Sequence, residues 1–87
     1  MEAKRWTVQI SISEDDDDQR TVARAVLHAR GREWRESVGL ARRNPADRAV
    51  PEIGDELAAG RALMALAERL MGDAAGDVAQ LGGLRTR

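Results

Sequence analysis

The chain contains no cysteine, no phenylalanine and no tyrosine, and only two prolines among its 87 residues. Without cysteine there is no disulfide, no thiolate nucleophile and no cysteine-ligated zinc. That composition suits a reducing compartment, and a cytoplasmic location is expected. Trp6 and Trp34 are the only aromatics, so the row of stacking platforms that holds single-stranded nucleic acid is missing. No apolar run approaches the roughly 20 residues that span a bilayer. The opening Met1-Glu2-Ala3-Lys4-Arg5-Trp6 lacks the apolar core of a signal peptide. Gly54, Gly60 and Gly72 stand singly, and no glycine-rich phosphate loop occurs. His28 is the sole histidine, flanked by Arg24 and Arg30 with no nucleophile or carboxylate motif beside it, and reads as an ordinary strand residue. The acids Glu14 to Asp18 are contiguous rather than alternating around a glycine, which describes a solvated loop and not a calcium site. No catalytic residue, metal, cofactor, small-molecule substrate or membrane contact is therefore expected, and the chain is not read as an enzyme.

What is present is arginine. Fourteen basic residues face fifteen acidic ones, for a net charge of −1, and Lys4 is the only lysine. Between Arg20 and Arg48 there are eight arginines against three acids, Glu33, Glu36 and Asp47. The planar guanidinium fork suits phosphate and carboxylate.

The apolar pattern divides the chain in two. Trp6, Val8, Ile10 and Ile12 alternate with Arg5, Thr7, Gln9, Ser11 and Ser13, which predicts a half-buried strand. A second strand over 20–30 sets Thr21, Ala23, Ala25, Leu27 and Ala29 on one face and Val22, Arg24, Val26, His28 and Arg30 on the other. Gly31-Arg32 reads as a hairpin turn. A third strand over 33–43 sets Ser37, Gly39 and Ala41 opposite Trp34, Glu36, Val38, Leu40 and Arg42. Small residues on the second and third strands admit a close helix, with Val8, Ile10 and Ile12 filling the rest of the core. Asn44-Pro45 ends the third strand. Pro51 opens a helix reaching about Met71, with Ile53, Leu57, Gly60, Met64, Ala67 and Met71 as its apolar stripe and Leu63, Leu66 and Leu70 beside it. Gly72 reads as its cap, Ala74 to Leu81 as a short further helix, and 83–87 as a disordered tail after a single domain over 1–82.

The fold class predicted is α+β: a three-stranded antiparallel sheet in β-β-β-α order with one long helix on one face. The other face then carries Val22, Val26, Trp34, Val38 and Leu40 as candidates for a dimer or partner interface, and a homodimer is expected. Arg24, Arg30 and Arg42 share that face. With Arg43 and Arg48 at the corner they are the candidates for contacting RNA phosphates. The alternative is a homodimeric interaction or scaffold module whose arginines only solvate the surface.

One block is long and specific. Ala41-Arg42 is followed by Asn44-Pro45-Ala46-Asp47-Arg48, then by Val50-Pro51-Glu52-Ile53-Gly54-Asp55-Glu56-Leu57 and Arg61-Ala62-Leu63. Together with Trp6-Thr7-Val8 and Ile10, this resembles a family of short actinobacterial proteins of unknown function associated with hypoxia and dormancy. Members look like shortened relatives of ribosome hibernation-promoting factors. The resemblance implies a β-sheet with a packed helix, association as dimers, and silencing of ribosomes under stress by occupying ribosomal RNA near the decoding region. Hibernation factors themselves are longer β-α-β-β-β-α domains with basic helices. This chain has no counterpart of their first helix, and its main helix is close to neutral.

Overall fold

The structure is a computed structural model that describes residues 2–15 and 19–85, with side chains described as far as residue 82. Three strands, β1 (Thr7–Glu14), β2 (Arg20–Ala29) and β3 (Arg32–Arg42), precede a single helix, α1 (Pro51–Arg85). The strands form one antiparallel sheet in the order β1-β2-β3. The fold is the α+β arrangement that the alternating and helical patterns predict. The loop acids Asp16 to Asp18, and residues 86 and 87 of the expected tail, lie outside the described residues.

β2 and β3 join through Arg30 and Gly31, with φ of 58° and 77°. Two consecutive left-handed residues between the paired Ala29 and Arg32 make the hairpin turn whose twist matches the strands. The turn thus sits one residue earlier than Gly31-Arg32, and Arg30 adopts a conformation that L side chains disfavour.

α1 lies over β2 and β3 and barely reaches β1. The reason is size. The helix side of the sheet presents Ala23 and Ala25 from β2 and Ser37, Gly39 and Ala41 from β3, and α1 answers with Ala58, Ala62 and Leu66. A Cβ on Gly39 would collide with the backbone of Ala58 and Ala62 and come within 2.9 Å of the Arg61 carbonyl carbon. The two backbones therefore meet with almost nothing between them.

This corrects the assignment of the helix stripe. The bulky residues expected to face the sheet point to solvent instead: Met64 is 66% exposed and Met71 71%, while Ala58 and Ala62 are fully buried. A helix seated on a bed of alanine and glycine can use only small side chains at the contact. Val8, Ile10 and Ile12 are on the helix side, opposite Leu27, Ala25 and Ala23, yet they remain partly exposed because α1 runs along the other two strands. They flank the core without filling it.

α1 also runs on without a cap at Gly72 or a second helix after it. A glycine inside a helix costs only about 1 kcal/mol, and tertiary contacts tie this segment down. Arg35 on β3 donates from Nε to Asp73 Oδ2 at 2.8 Å and from Nη2 to Oδ1 at 3.1 Å. That two-pronged bond holds the Asp73 carboxyl below its ordinary range; the hydrogen bond is the larger cause, burial opposes it, and the charges of Arg35 and Arg69 support it. A lowered carboxylate stabilises the fold above its ordinary pKa, near 4, and that help is lost as pH falls through the lower folded value. Asp73→Asn is accordingly expected to cost stability at neutral pH and to flatten the acid limb of the stability curve below about pH 4, as read by denaturant unfolding across pH.

Two more arginines bind α1 to the outer edge of the sheet. Arg61 Nη1 donates to the Leu40 carbonyl at 2.7 Å and Arg69 Nη1 to the Glu36 carbonyl at 2.9 Å. Eight helical residues rise about 12 Å, and four strand residues span about 13 Å, so the two ladders stay in step. Edge carbonyls that would otherwise invite another strand are occupied.

Candidate functional site

The register sorts the arginines. Arg24 is on the outer face, where its guanidinium is ion-paired with Glu36. Arg30 sits in the β2–β3 turn at one end of the sheet. Arg42 pairs with Arg20 at the other end, about 30 Å away along a ten-residue strand. The five candidates therefore do not form one surface.

Three of them do converge. Arg42, Arg43 and Arg48 line a groove of about 390 Å³ between the end of the sheet, the connector and the start of α1. Its apolar lining includes Ala41, Val50, Ile53 and Leu57. The Asn44-Pro45-Ala46-Asp47 block builds the wall. Asn44 Oδ1 accepts from the Ala46 amide at 3.0 Å, and the Asp47 amide donates to the Asn44 carbonyl at 2.8 Å. This is the turn that asparagine and proline favour. Arg43 is held in it twice, through its amide to the Gln19 carbonyl at 2.8 Å and through Nη1 to the Asp47 carbonyl at 2.7 Å. The sequence block that looks most specific is therefore the scaffold that fixes the corner. The start of α1 brings the positive end of the helix dipole to the same region, with the Ile53 amide already donating to the Val50 carbonyl at 3.0 Å.

The apolar candidates separate as well. Val22 lies opposite Leu40, and Arg24 opposite Val38, on the face away from the helix. Val38 is 57% exposed, whereas Val26 is already buried among its neighbours. Trp34 leaves this group. A bulge at Leu27/His28 shifts the pairing so that Glu33 opposes His28 and Arg35 opposes Leu27. Trp34 is the extra residue, and the bulge turns it to the helix side with Arg35. There it meets Trp6 edge-on with ring centroids 5.3 Å apart, and it borders a cleft with Gly72, Asp73 and Gly76 of α1. No sequence signal marks this bulge, since a tryptophan fits the alternation on either face.

Sequence reasoning also missed the outward face of α1, where large apolar side chains are solvated. The signal was visible as the same three-and-four spacing, assigned to the wrong neighbour. Among the described residues no group of three His, Asp or Glu side chains could hold a metal ion, and no helix is long and apolar enough to cross a membrane.

Sheet, connector and helix together define a small β-β-β-α protein built around a close helix–sheet contact and an arginine-lined corner. Within that class the chain belongs to the Rv2632c-like family, whose model matches residues 4–87. It is similar to an uncharacterized protein of Mycobacterium bovis, 50% identical over 72 residues that cover 78% of this chain and 69% of that protein. It is similar also to the uncharacterized protein Rv2632c of Mycobacterium tuberculosis, 46% identical over 72 residues, covering 83% and 76%. The crystal structure of Rv2632c superposes with a TM-score of 0.78 at 41% identity, covering 92% of each chain.

Proposed function

We propose that the chain is a non-enzymatic, stress-associated RNA-binding protein that acts on ribosomes in the manner of hibernation-promoting factors. Arg42, Arg43 and Arg48 are its phosphate contacts. The observation that carries this reading is their meeting around one groove at the amino end of a long helix. Cationic forks at the positive end of a helix dipole suit a phosphate. Binding of this kind is salt-sensitive and tolerant of sequence.

The test is co-sedimentation with ribosomes over a salt series. Reversing Arg42 and Arg48 to glutamate is expected to abolish most of the bound fraction. It should also reduce the salt slope by about 0.7–0.9 for each phosphate that is no longer neutralised. Arg30→Glu, at the far end of the sheet, is expected to leave most binding intact. No ribosome- or RNA-bound fraction at low salt would contradict the proposal.

A second reading, a homodimeric protein-interaction module, is favoured by the amount of large apolar surface left in solvent, including Val38, Leu40, Met64 and Met71. Capture experiments in nuclease-treated lysate separate the two, because only protein contacts survive there.

A further inference from the structure

α1 has two apolar stripes, and only one is used. The stripe against the sheet runs through Ala58, Ala62 and Leu66. The other lies nearly opposite on the helix, at about 100° per residue, and repeats with alternating spacings of four and three residues from Ile53 to Leu81. A heptad repeat of this kind places one continuous seam along a helix. Here the seam is solvated: Ile53 is 55% exposed, Met64 66% and Val78 67%.

Side-chain size alternates along the seam. One set of heptad positions is large: Leu57, Met64, Met71 and Val78. Between Ile53 and Leu81, the other set is small: Gly60, Ala67 and Ala74. In a parallel pair, like meets like, so Met64 would face Met64 and Gly60 would face Gly60, giving crowded layers next to empty ones. In an antiparallel pair, the two sets meet each other. Met64 then meets Ala67, Met71 meets Gly60 and Leu57 meets Ala74, so each layer is filled by one large and one small residue.

Charge selects among the antiparallel registers. Arg61 and Glu68 flank the seam on one side. With Met64 over Ala67, each Arg61 lies beside Glu68 of the other helix. Sliding by one step in either direction keeps the size pattern but sets Arg61 against Arg61 or Glu68 against Glu68. Arg61 uses Nη1 on the Leu40 carbonyl, and the guanidinium has further donors. The favoured register also brings Glu56 near Asp77 at each end, a like-charge pair at the exposed rim.

We propose that this outward face is a self-association seam, on which α1 of a second copy lies antiparallel with Met64 over Ala67 and Met71 over Gly60. The proposal rests on the homodimer reading and supplies its surface. It places that surface on the helix back rather than on the open sheet face, and it shares Ile53 and Leu57 with the apolar lining of the arginine corner.

Sedimentation equilibrium of the full chain over a concentration series tests it. The wild-type chain is expected to dimerise. Gly60→Leu has open space around it within one chain, so it should stay folded by circular dichroism. By crowding Met71 of the second copy, it is expected to weaken the dimer about 100-fold. Met71→Ala should also weaken it, and the pair Gly60→Leu with Met71→Ala should recover most of the affinity, because large and small have changed places. Glu56→Arg should tighten the dimer by removing the rim repulsion. Failure of the double variant to recover would overturn the antiparallel seam. A dimer untouched by Met64→Glu but abolished by Val38→Glu would overturn the seam while leaving the homodimer reading in place. A monomer at every concentration would overturn both.

Discussion

Gly39→Ala is expected to remove more than half of this protein's folding stability. One methyl group at that position meets backbone, not flexible side chain: the Ala58 carbonyl, the Ala62 amide and the Arg61 carbonyl carbon. Backbone inside a helix cannot step aside, so α1 must lift from β3. Lifting it opens the contact between Ala23, Ala25 and Ala41 on the sheet and Ala58 and Ala62 on the helix. It also strains the Arg61 and Arg69 bonds to the edge carbonyls. Overpacking a core typically costs 1–3 kcal/mol, and here the upper end, about 3 kcal/mol or more, is expected. A domain of this size has roughly 5 kcal/mol in hand. Thermal unfolding followed by circular dichroism reads the outcome. Gly60→Ala is the control. It has open space around it, and in a helix interior the change should gain up to about 1 kcal/mol.

Leu27→Ala is the second large effect. Leu27 is 2% exposed, and Leu66 of α1 is 3% exposed in the same cluster. Most of the other core side chains are alanines, which carry little area each. The two leucines therefore supply much of the apolar volume that closes the interior. Truncating a buried leucine costs about 2–5 kcal/mol, through lost burial and the cavity left behind. The lower half of that range applies where neighbours can settle into the gap. Alanines cannot reach, so a cost of about 4 kcal/mol is expected in urea unfolding. Met71→Ala, which removes a side chain of similar size from solvent, should move monomer stability by less than about 0.5 kcal/mol.

The contrast between Leu27 and Met71 marks how far the sequence could be read. Strict alternation in Trp6 to Ser13 located the first strand, whereas Thr21 to Ala29, alanine-rich and open to a helical reading, reads as a strand by its flanking turns and short length. Asn44-Pro45 and Pro51 located the end of β3 and the start of α1, because proline limits the backbone directly. The helix face was harder. Apolar periodicity identifies a stripe, and the larger residues draw the eye to the wrong one when a helix has two. The deciding fact was on another element, the row of Ser37, Gly39 and Ala41, which leaves no room for methionine. The bulge at Trp34 was hidden for a different reason. An extra residue in a strand shows itself only through its partner's register, and pairing is not written in local sequence. The candidate arginines were legible as a group but not as a geometry. Only the turn at Asn44 to Asp47 brings Arg42, Arg43 and Arg48 around one groove, while Arg24 is taken by Glu36.

The exposed apolar side chains of α1 and of β1 have a common origin. Seating α1 tightly over β2 and β3 uses up the small residues and leaves the large ones without a neighbour. Both the helix back and the strip from Val8 to Ile12 follow from that one contact.

The direct measurement of that contact is the pattern of proton–proton Overhauser effects in the dissolved protein. Signals from the Gly39 α-protons to the Ala58 and Ala62 methyl groups, with none from the Met64 or Met71 methyls to residues of β2, are the predicted result. Methionine methyls close to Ala23 or Ala25 would mean that α1 is rolled onto its other face, and that the core is not built on a backbone-to-backbone approach at Gly39.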